Sequence, residues 1–305
     1  MIDPRLQTLR ALRTHGTVTA AALALRLTPS TVSHQLKQLA AETGIRLLEP
    51  NGRRVRLTAA AELLLEHADL LYAQWERTKV DLAGLEAGRI GSLRMCGLSS
   101  VVSTFLGRAA KRLREAHPGV RMHLAAVEAN EAFRMLESGD TDIAVANLSN
   151  DLPLQSDRRF EQHFLLDDVE DLLVPTDHRL AGRESVALTE AADEEWIGMP
   201  GCADQEQLFR SSTVAAGFTP DVVHRADSWT SVSGLVCTGF GVSLYSRLAP
   251  VPAEHAVTRV PIHGHPVPTR RLFTAVRRGS AGQPAIARGL AAIREEAAST
   301  ATRSD

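Results

Sequence analysis

The chain has 305 residues, 44% of them hydrophobic, so it is long enough for two or three domains with sizeable cores. We expect neither a signal peptide nor a membrane span, because the first residues lack an apolar run and no segment approaches about 20 continuous apolar residues. The three cysteines, Cys96, Cys202 and Cys237, have no zinc-site spacing and are expected to be reduced thiols of a cytoplasmic protein.

The charges are unevenly distributed along the chain. The net charge is −2, yet residues 1–58 contain nine Lys or Arg against three Asp or Glu. A basic segment on an acidic body can bind phosphate groups while the body is repelled by them. Chance segregation of charge would give the same pattern, so the distribution alone decides nothing.

The first sixty residues predict three short helices. The first ends at Gly16, the second covers about Ala20 to Leu25, and the third runs from Pro29 to about Thr43. The third helix is apolar on one face and free of acidic residues on the other, as in the recognition helix of a helix-turn-helix. The alternative is an ordinary solvated face, where Asp or Glu would be expected. The predicted DNA-binding residues of this helix are Ser30, Thr31, Ser33, His34, Gln35, Lys37 and Gln38.

A basic hairpin is predicted directly after these helices. Asn51-Gly52 stands between two alternating apolar runs, which is a strong hairpin signal. Arg53 and Arg54 follow the turn, where they could contact the DNA backbone or a minor groove. The hairpin is therefore interpreted as a wing.

The segment HGTVTAAALALRLTPSTVSHQLKQLAAETGIRLLEPNGRRVRLTAAA resembles the N-terminal domain of LysR-type transcriptional regulators over about 60 residues. The resemblance implies a sequence-specific DNA-binding transcription regulator controlled by a small-molecule effector. Three positions depart from the family pattern: Pro29 replaces a common Gln, Leu48 an aromatic residue and Pro50 a frequent Arg. The contacts that Gln and Arg would make are not carried over.

A long helix is predicted from Thr58, because neither Gly nor Pro occurs again before Gly84. Its apolar residues follow a heptad pattern that is typical of a two-helix seam; packing on its own domain is the alternative. The predicted dimerisation residues are Leu64, Ala68, Leu71, Trp75 and Leu82. The resemblance favours a dimer, which would read a pseudo-palindromic operator in double-stranded DNA, and it alone suggests a tetramer.

The remainder alternates strands and helices, which predicts parallel α/β layers. The expected fold class is α/β: an N-terminal winged helix-turn-helix (1–58), a linker helix (59–88) and a periplasmic-binding-protein-like effector domain of two α/β subdomains (89–305). Subdomain I is expected at about 89–166 and 268–305, and subdomain II at about 167–267. By resemblance, the tail returns to subdomain I, and the chain crosses between subdomains near Leu166–Glu170 and Pro266–Arg270.

Ligands of such sheets bind beyond the carboxyl ends of the strands. The residues that follow predicted strands there are Ser99, Ser100, Glu128, Asn147, Gly201, Cys202 and Asp227, the candidate effector-binding residues. Helix N-termini suit an anion, whereas ionised Glu128 or Asp227 in the pocket would favour a cation or a zwitterion. For each single residue, an N-cap or a loop polar group is the alternative.

Other functions have less support in the sequence. No G-x-S-x-G, H-E-x-x-H or Walker loop occurs, so no catalytic residue, metal site or cofactor is predicted, and we do not expect an enzyme. Cys202 could be a redox sensor, but a resolving cysteine is not evident. The main alternative is a cytoplasmic solute-binding or sensing protein without DNA-binding function, against which the basic helix-turn-helix counts. RNA polymerase could be a further protein partner, and no interaction with a membrane is expected.

Overall fold

The computed structural model describes residues 3–51, 54–85, 91–147 and 157–304. The helices of these ranges are α1 (Pro4–His15), α2 (Val18–Ala24), α3 (Pro29–Thr43), α4 (Ala59–Leu85), α5 (Ser99–Val101), α6 (Gly107–Ala116), α7 (Ala129–Ser138), α8 (Ala203–Ala215), α9 (Trp229–Cys237) and α10 (Pro284–Ser304). A π-helical turn, Val102–Leu106, joins α5 to α6. None of the described helices combines the length and apolar character needed to cross a bilayer.

The strands are β1 (Leu48–Asn51), β2 (Arg54–Leu57), β3 (Ser92–Gly97), β4 (Arg121–Ala126), β5 (Ile143–Asn147), β6 (Phe160–Pro175), β7 (Val186–Ala187), β8 (Glu195–Gly198), β9 (Asp221–Arg225), β10 (Ser243–Ser246), β11 (Val257–Val260), β12 (Ile262–His263) and β13 (Thr269–Arg277). The short strands β7, β11 and β12 were not predicted from the sequence, because two- to four-residue segments carry too little periodicity.

The N-terminal head consists of α1 to α3 and the β1–β2 hairpin. Helix α1 ends, and α3 begins and ends, where the local signals predict, whereas α2 begins at Val18, two residues before the predicted Ala20. Thr28 caps α3, with its hydroxyl accepting a hydrogen bond from the Thr31 amide, and Pro29 occupies the first helical position. Gly16 and Gly44 end α1 and α3 in the left-handed conformation that glycine adopts without strain.

The linker helix α4 confirms the predicted long helix, but its first half belongs to the head. Leu65 and Ala68 are buried in the head core, and Leu64 packs against that core. The assignment of Ala68 to the dimer seam is therefore corrected, because this side chain is already covered by its own domain. A heptad pattern reports which residues share a helix face, not which partner covers that face.

The C-terminal part has a central sheet in the order β10-β6-β13-β5-β3-β4. Strands β3, β4 and β5 are parallel, and β13 pairs antiparallel with both β5 and β6. Helices α5 to α7 and α10 cover the parallel strands, and these elements form the first subdomain. The tail thus returns to this subdomain, as the resemblance implied.

The second subdomain contains β8 to β10, α8 and α9, with separate apolar clusters around Trp196 and Tyr245. Strands β8 and β9 are parallel, whereas β10 pairs antiparallel with β6. Strand β6 begins at Phe160 and runs through both subdomains. With β13 it forms the crossing pair, in which Arg270 lies opposite Asp168.

Candidate DNA-binding surface and effector cleft

The outward face of α3 is exposed and polar. The exposed residues of this face are Ser30, His34, Lys37 and Gln38. Thr31 and Ser33 are half-buried. The Thr28 hydroxyl also lies 2.9 Å from the Ser30 hydroxyl and 2.8 Å from the Thr31 hydroxyl, which orders the first turn. This end of α3 therefore presents pre-positioned hydroxyl groups beside a histidine, a lysine and an amide.

Gln35 is placed differently from its neighbours on α3. It is half-buried, and its amide oxygen accepts a hydrogen bond from the hydroxyl of Thr8, a buried residue of α1. Gln35 therefore holds α3 on α1. Because its amide oxygen is occupied by Thr8, the predicted DNA contact through that oxygen is wrong. The bond depends on how two helices pack, which the helical pattern does not contain.

The wing is an antiparallel hairpin. Leu48 pairs with Leu57, and Glu49 pairs with Arg56, whose guanidinium donates to the Glu49 carboxylate across the strands at 2.9 Å. Arg53 lies outside the described residues, and Arg54 begins β2. Because Arg56 already has a carboxylate partner, Arg53 and Arg54 stay the predicted phosphate contacts of the hairpin.

The predicted cleft residues of the first subdomain follow the carboxyl ends of its parallel strands. Ser99 is exposed in the first turn of the helical run that follows β3, Glu128 is the exposed N-cap of α7, and Asn147 ends β5. Asn147 is buried, and within the described part of the chain its side-chain oxygen has no hydrogen-bond partner. Three of the candidates thus lie along one edge of the sheet.

Residues of the second subdomain meet this edge. The Cys202 thiol donates a hydrogen bond of 3.1 Å to the Glu128 carboxylate, across the boundary between the subdomains. Gly201 lies so close to Asp227 that a Cβ added there would be 2.9 Å from its carboxylate. Burial, and then the charge of Glu128, raise the pKa of Cys202 to about 12. The thiol is therefore protonated at neutral pH.

Ser100 does not present its hydroxyl to the cleft. It is completely buried, and its Oγ accepts a hydrogen bond of 3.0 Å from Arg270 Nη2. Arg270 also donates from Nε to Asp168 at 3.0 Å and from Nη2 to the Ser246 hydroxyl at 2.8 Å. The prediction that Ser100 binds the effector is therefore wrong: its hydroxyl accepts a hydrogen bond from the buried Arg270 guanidinium and holds that side chain in place. This network joins both subdomains beneath the cleft.

A second acid lies beside this network. Glu170 is completely buried on β6, and its carboxylate accepts a hydrogen bond of 2.8 Å from Gln205 in the first turn of α8. Burial raises the pKa of Glu170 to about 7, although the nearby charge of Arg270 opposes the shift. Trp229, at the start of α9, has its ring 5.3 Å from the Arg270 guanidinium carbon.

Sequence reasoning missed five residues below the cleft: Asp168, Glu170, Gln205, Ser246 and Arg270. The available signal was charge next to apolar runs of buried strands: Asp168 and Glu170 lie in an acidic segment directly before the apolar residues 172–174, and Arg270 lies two residues before the apolar pair Leu272-Phe273. Charged residues that enter a buried strand are expected to be paired. That signal would have marked the residues, though not their partners.

Two family models match the chain. The model for the bacterial regulatory helix-turn-helix protein, lysR family, matches residues 4–62, and the model for the LysR substrate binding domain matches residues 86–298. The hydrogen peroxide-inducible genes activator of Dickeya chrysanthemi is 27% identical over 278 residues, covering 90% of this chain and 89% of that protein. The regulator AlsR of Bacillus subtilis is 29% identical over 226 residues, covering 73% of each chain.

Solved structures agree in fold. A mutant of OxyR from Corynebacterium glutamicum superposes with a TM-score of 0.61 at 20% identity, covering 98% of this chain and 94% of that one. HinK from Pseudomonas aeruginosa superposes with a TM-score of 0.60 at 24% identity, covering 95% and 98%. With the two models matching the head and the C-terminal part, this chain belongs to the LysR family of DNA-binding transcriptional regulators.

Proposed function

We propose that the regulator reads its operator through the outward face of α3 and grips the flanking backbone through Arg53 and Arg54. The observation that carries this proposal is the exposed, acid-free end of α3, with its hydroxyl groups ordered by Thr28. Such groups donate to base edges and phosphates in a major groove. The cytoplasm, where the DNA lies, is its proposed location.

His34→Ala tests this assignment. His34 is exposed near the start of α3, so a base contact through it would be worth about 1–3 kcal/mol of operator binding, with little effect on unrelated DNA. Fluorescence anisotropy with both DNAs measures the difference. Lys111→Ala is the matched control, since Lys111 is an exposed cation on α6 in the first subdomain. Equal losses on both DNAs would remove His34 from base recognition.

The wing has a different expected signature. Replacing Arg53 and Arg54 together by Ala removes two phosphate contacts, so affinity should fall on all sequences and the dependence on salt should become shallower by a slope of about 2. Salt titration of the same anisotropy signal measures the slope. An unchanged slope would contradict the proposed wing contacts.

We also propose that two copies pair through α4. One side of this helix exposes large apolar side chains: Leu63, Leu70, Leu71, Trp75 and Leu82. Leu71, Trp75 and Leu82 come from the predicted seam, whereas Leu63 and Leu70 were not assigned to it. Unpartnered apolar residues on one helix side support burial against a second copy. A dimer places two recognition helices on a two-fold-related operator. A tetramer is proposed from the family resemblance alone.

Leu71→Asp combined with Trp75→Asp tests the pairing. Both side chains are about half-exposed in the single chain, so the charges are tolerated there, whereas burial in a seam would oppose them. Light scattering should then report a smaller species than the wild type. Ala287→Asp with Ala291→Asp on α10 has the same four-residue spacing at exposed positions and is the control. Unchanged assembly in the Leu71 and Trp75 variant would place the interface elsewhere.

The effector is proposed to bind between the subdomains, above the Arg270 network. The residues proposed to line the site are Ser99, Glu128, Asn147, Gly201, Cys202 and Asp227. The proposed domain boundaries fall after residues 58 and 88, which end the head and the linker helix, and after residues 166 and 267, where the chain crosses between the two subdomains. The observation that carries this is the contact of Cys202 with Glu128 at the edge where the parallel strands end. A ligand there would change how the two subdomains meet.

Ser99→Ala tests the site. A calorimetric screen of small carboxylic acids, amines and amino acids identifies the ligand class, and the variant is then titrated with the best compound. Loss of the exposed Ser99 hydroxyl should weaken binding by about 1 kcal/mol and leave DNA binding without ligand unchanged. Wild-type ligand affinity in the variant would exclude Ser99 from the site.

A further inference from the structure

Helix α7 connects the cleft to the DNA-binding head. It has ten residues, so it is about 15 Å long. Its N-cap, Glu128, contacts Cys202 of the second subdomain. Its last turn contains Glu137, which lies against Arg10 of α1 in the head. One helix therefore contacts the second subdomain at one end and the head at the other.

The contact of α7 with the head is formed by charged side chains. Arg10 is only 6% exposed, pairs with Asp69 of α4 and lies 4.3 Å above the ring of Tyr72. The Glu137 carboxylate accepts a hydrogen bond of 3.0 Å from Arg159, which directly precedes β6, and the same oxygen lies 3.7 Å from Arg10 Nε. Two arginines from different parts of the chain thus share one carboxylate.

The Arg10 bond to Glu137 is not fully formed. Within the described residues, Arg10 Nε is buried without a hydrogen-bond partner, and 3.7 Å is beyond the roughly 2.7–3.2 Å of a good N–H···O bond. A small cavity of about 50 Å³, lined in part by Arg10, Asp69 and Glu137, leaves room for the side chains to move. A helix shift of about 1 Å, common in allosteric proteins, would complete or break this bond.

The other end of α7 is equally sensitive to position. Glu128 is exposed, and its carboxylate accepts the hydrogen bond from the Cys202 thiol of the other subdomain. Between its ends α7 is anchored by buried Ala132, Phe133 and Leu136, so it behaves as a rigid element of the first subdomain. Because α7 is anchored in this way, the positions of its two ends, Glu128 and Glu137, are linked.

We propose that α7 transmits the state of the cleft to the head, with Glu128 as the sensing end and Glu137 as the end that holds α1. The proposal rests on the proposed effector cleft. It adds a route by which cleft closure changes how the head is held against the first subdomain: movement at Glu128 strengthens or releases the hold of Glu137 on Arg10.

Hydrogen exchange in the full-length protein tests the coupling without a known effector. Glu128→Ala removes the cleft contact, and we expect the amides of α1 to exchange at least threefold faster, with α10 unchanged. Glu137→Gln should accelerate α1 similarly, and the double variant should add nothing further. Glu115→Gln is the control, because Glu115 pairs with Lys111 at exposed positions of α6 in the first subdomain; α1 should then exchange at the wild-type rate.

Three outcomes would overturn the proposal: no response of α1 to Glu128→Ala, fully additive effects in the double variant, or an equal response to Glu115→Gln. If Glu137→Gln does not fold, Arg10→Lys replaces it, since lysine keeps the charge but not the planar guanidinium. Operator binding is measured on each variant. Retained binding with an unresponsive α1 would refute the coupling alone, whereas a wild-type protein without operator preference would refute the proposed function.

Discussion

Arg270→Met should strongly destabilise the C-terminal part of the protein. Arg270 is 4% exposed and donates to Asp168, Ser100 and Ser246. Without the guanidinium, the carboxylate of Asp168, itself 2% exposed, is left buried without a cation. Breaking a buried pair in this way costs about 3–5 kcal/mol. Asp168 keeps its hydrogen bonds from the Ser246 hydroxyl and the Leu248 amide, so we expect a loss near the lower limit, about 3 kcal/mol.

Urea unfolding followed by tryptophan fluorescence measures this loss. Arg271→Met is the matched control: Arg271 is the adjacent residue, its side chain is 62% exposed, and it pairs with Asp167 at 3.1 Å, so its loss should cost less than about 1 kcal/mol. Adding Asp168→Asn to Arg270→Met removes the unpaired charge and should recover part of the stability. Equal effects of Arg270→Met and Arg271→Met would refute the claim that a buried charge network supports the cleft.

Three further outcomes are expected. Because the folded pKa of Glu170 is raised from 4.5 to about 7, its contribution to stability is present below about pH 4.5 and is lost as the pH rises through about 7; Glu170→Gln should flatten this dependence in urea unfolding. Since the pKa of Cys202 is about 12, mass spectrometry should show only slow alkylation of this thiol by iodoacetamide near neutral pH, and rapid alkylation would contradict it. Gly279→Ala should lower the midpoint of thermal unfolding, because Gly279 has φ +84° and an added Cβ would lie 2.5 Å from the carbonyl oxygen of Ala73; Gly182→Ala, in open space, should not.

The sequence predicted the head well because its signals are local. Thr28, Pro29 and Gly44 determine where α3 begins and ends through caps and backbone preferences that act within a few residues. The side chain that ties α3 to α1 could not be predicted in the same way. Gln35 lies within reach of Thr8 only because of the angle at which two helices pack, and helical periodicity contains no such angle.

The cleft was predicted by topology, and the network beneath it was not. Strand-to-helix turns identified Glu128 and Cys202 from strand order alone. The pair of Asp168 with Arg270 joins residues 102 positions apart, and their contact follows from the register of β6 against β13. A charged residue in an apolar strand signals that a partner exists, but the partner is defined only once the strands are paired.

We expect this chain to discriminate its operator from other DNA through the head. Fluorescence anisotropy of the full-length protein with the DNA upstream of its own gene, and with a scrambled duplex of the same length, measures that discrimination. At physiological salt we expect binding of the upstream DNA to be at least about 10³-fold tighter, as for specific DNA-binding proteins in general. Equal affinity for the two duplexes, with the same dependence on salt, would contradict the claim.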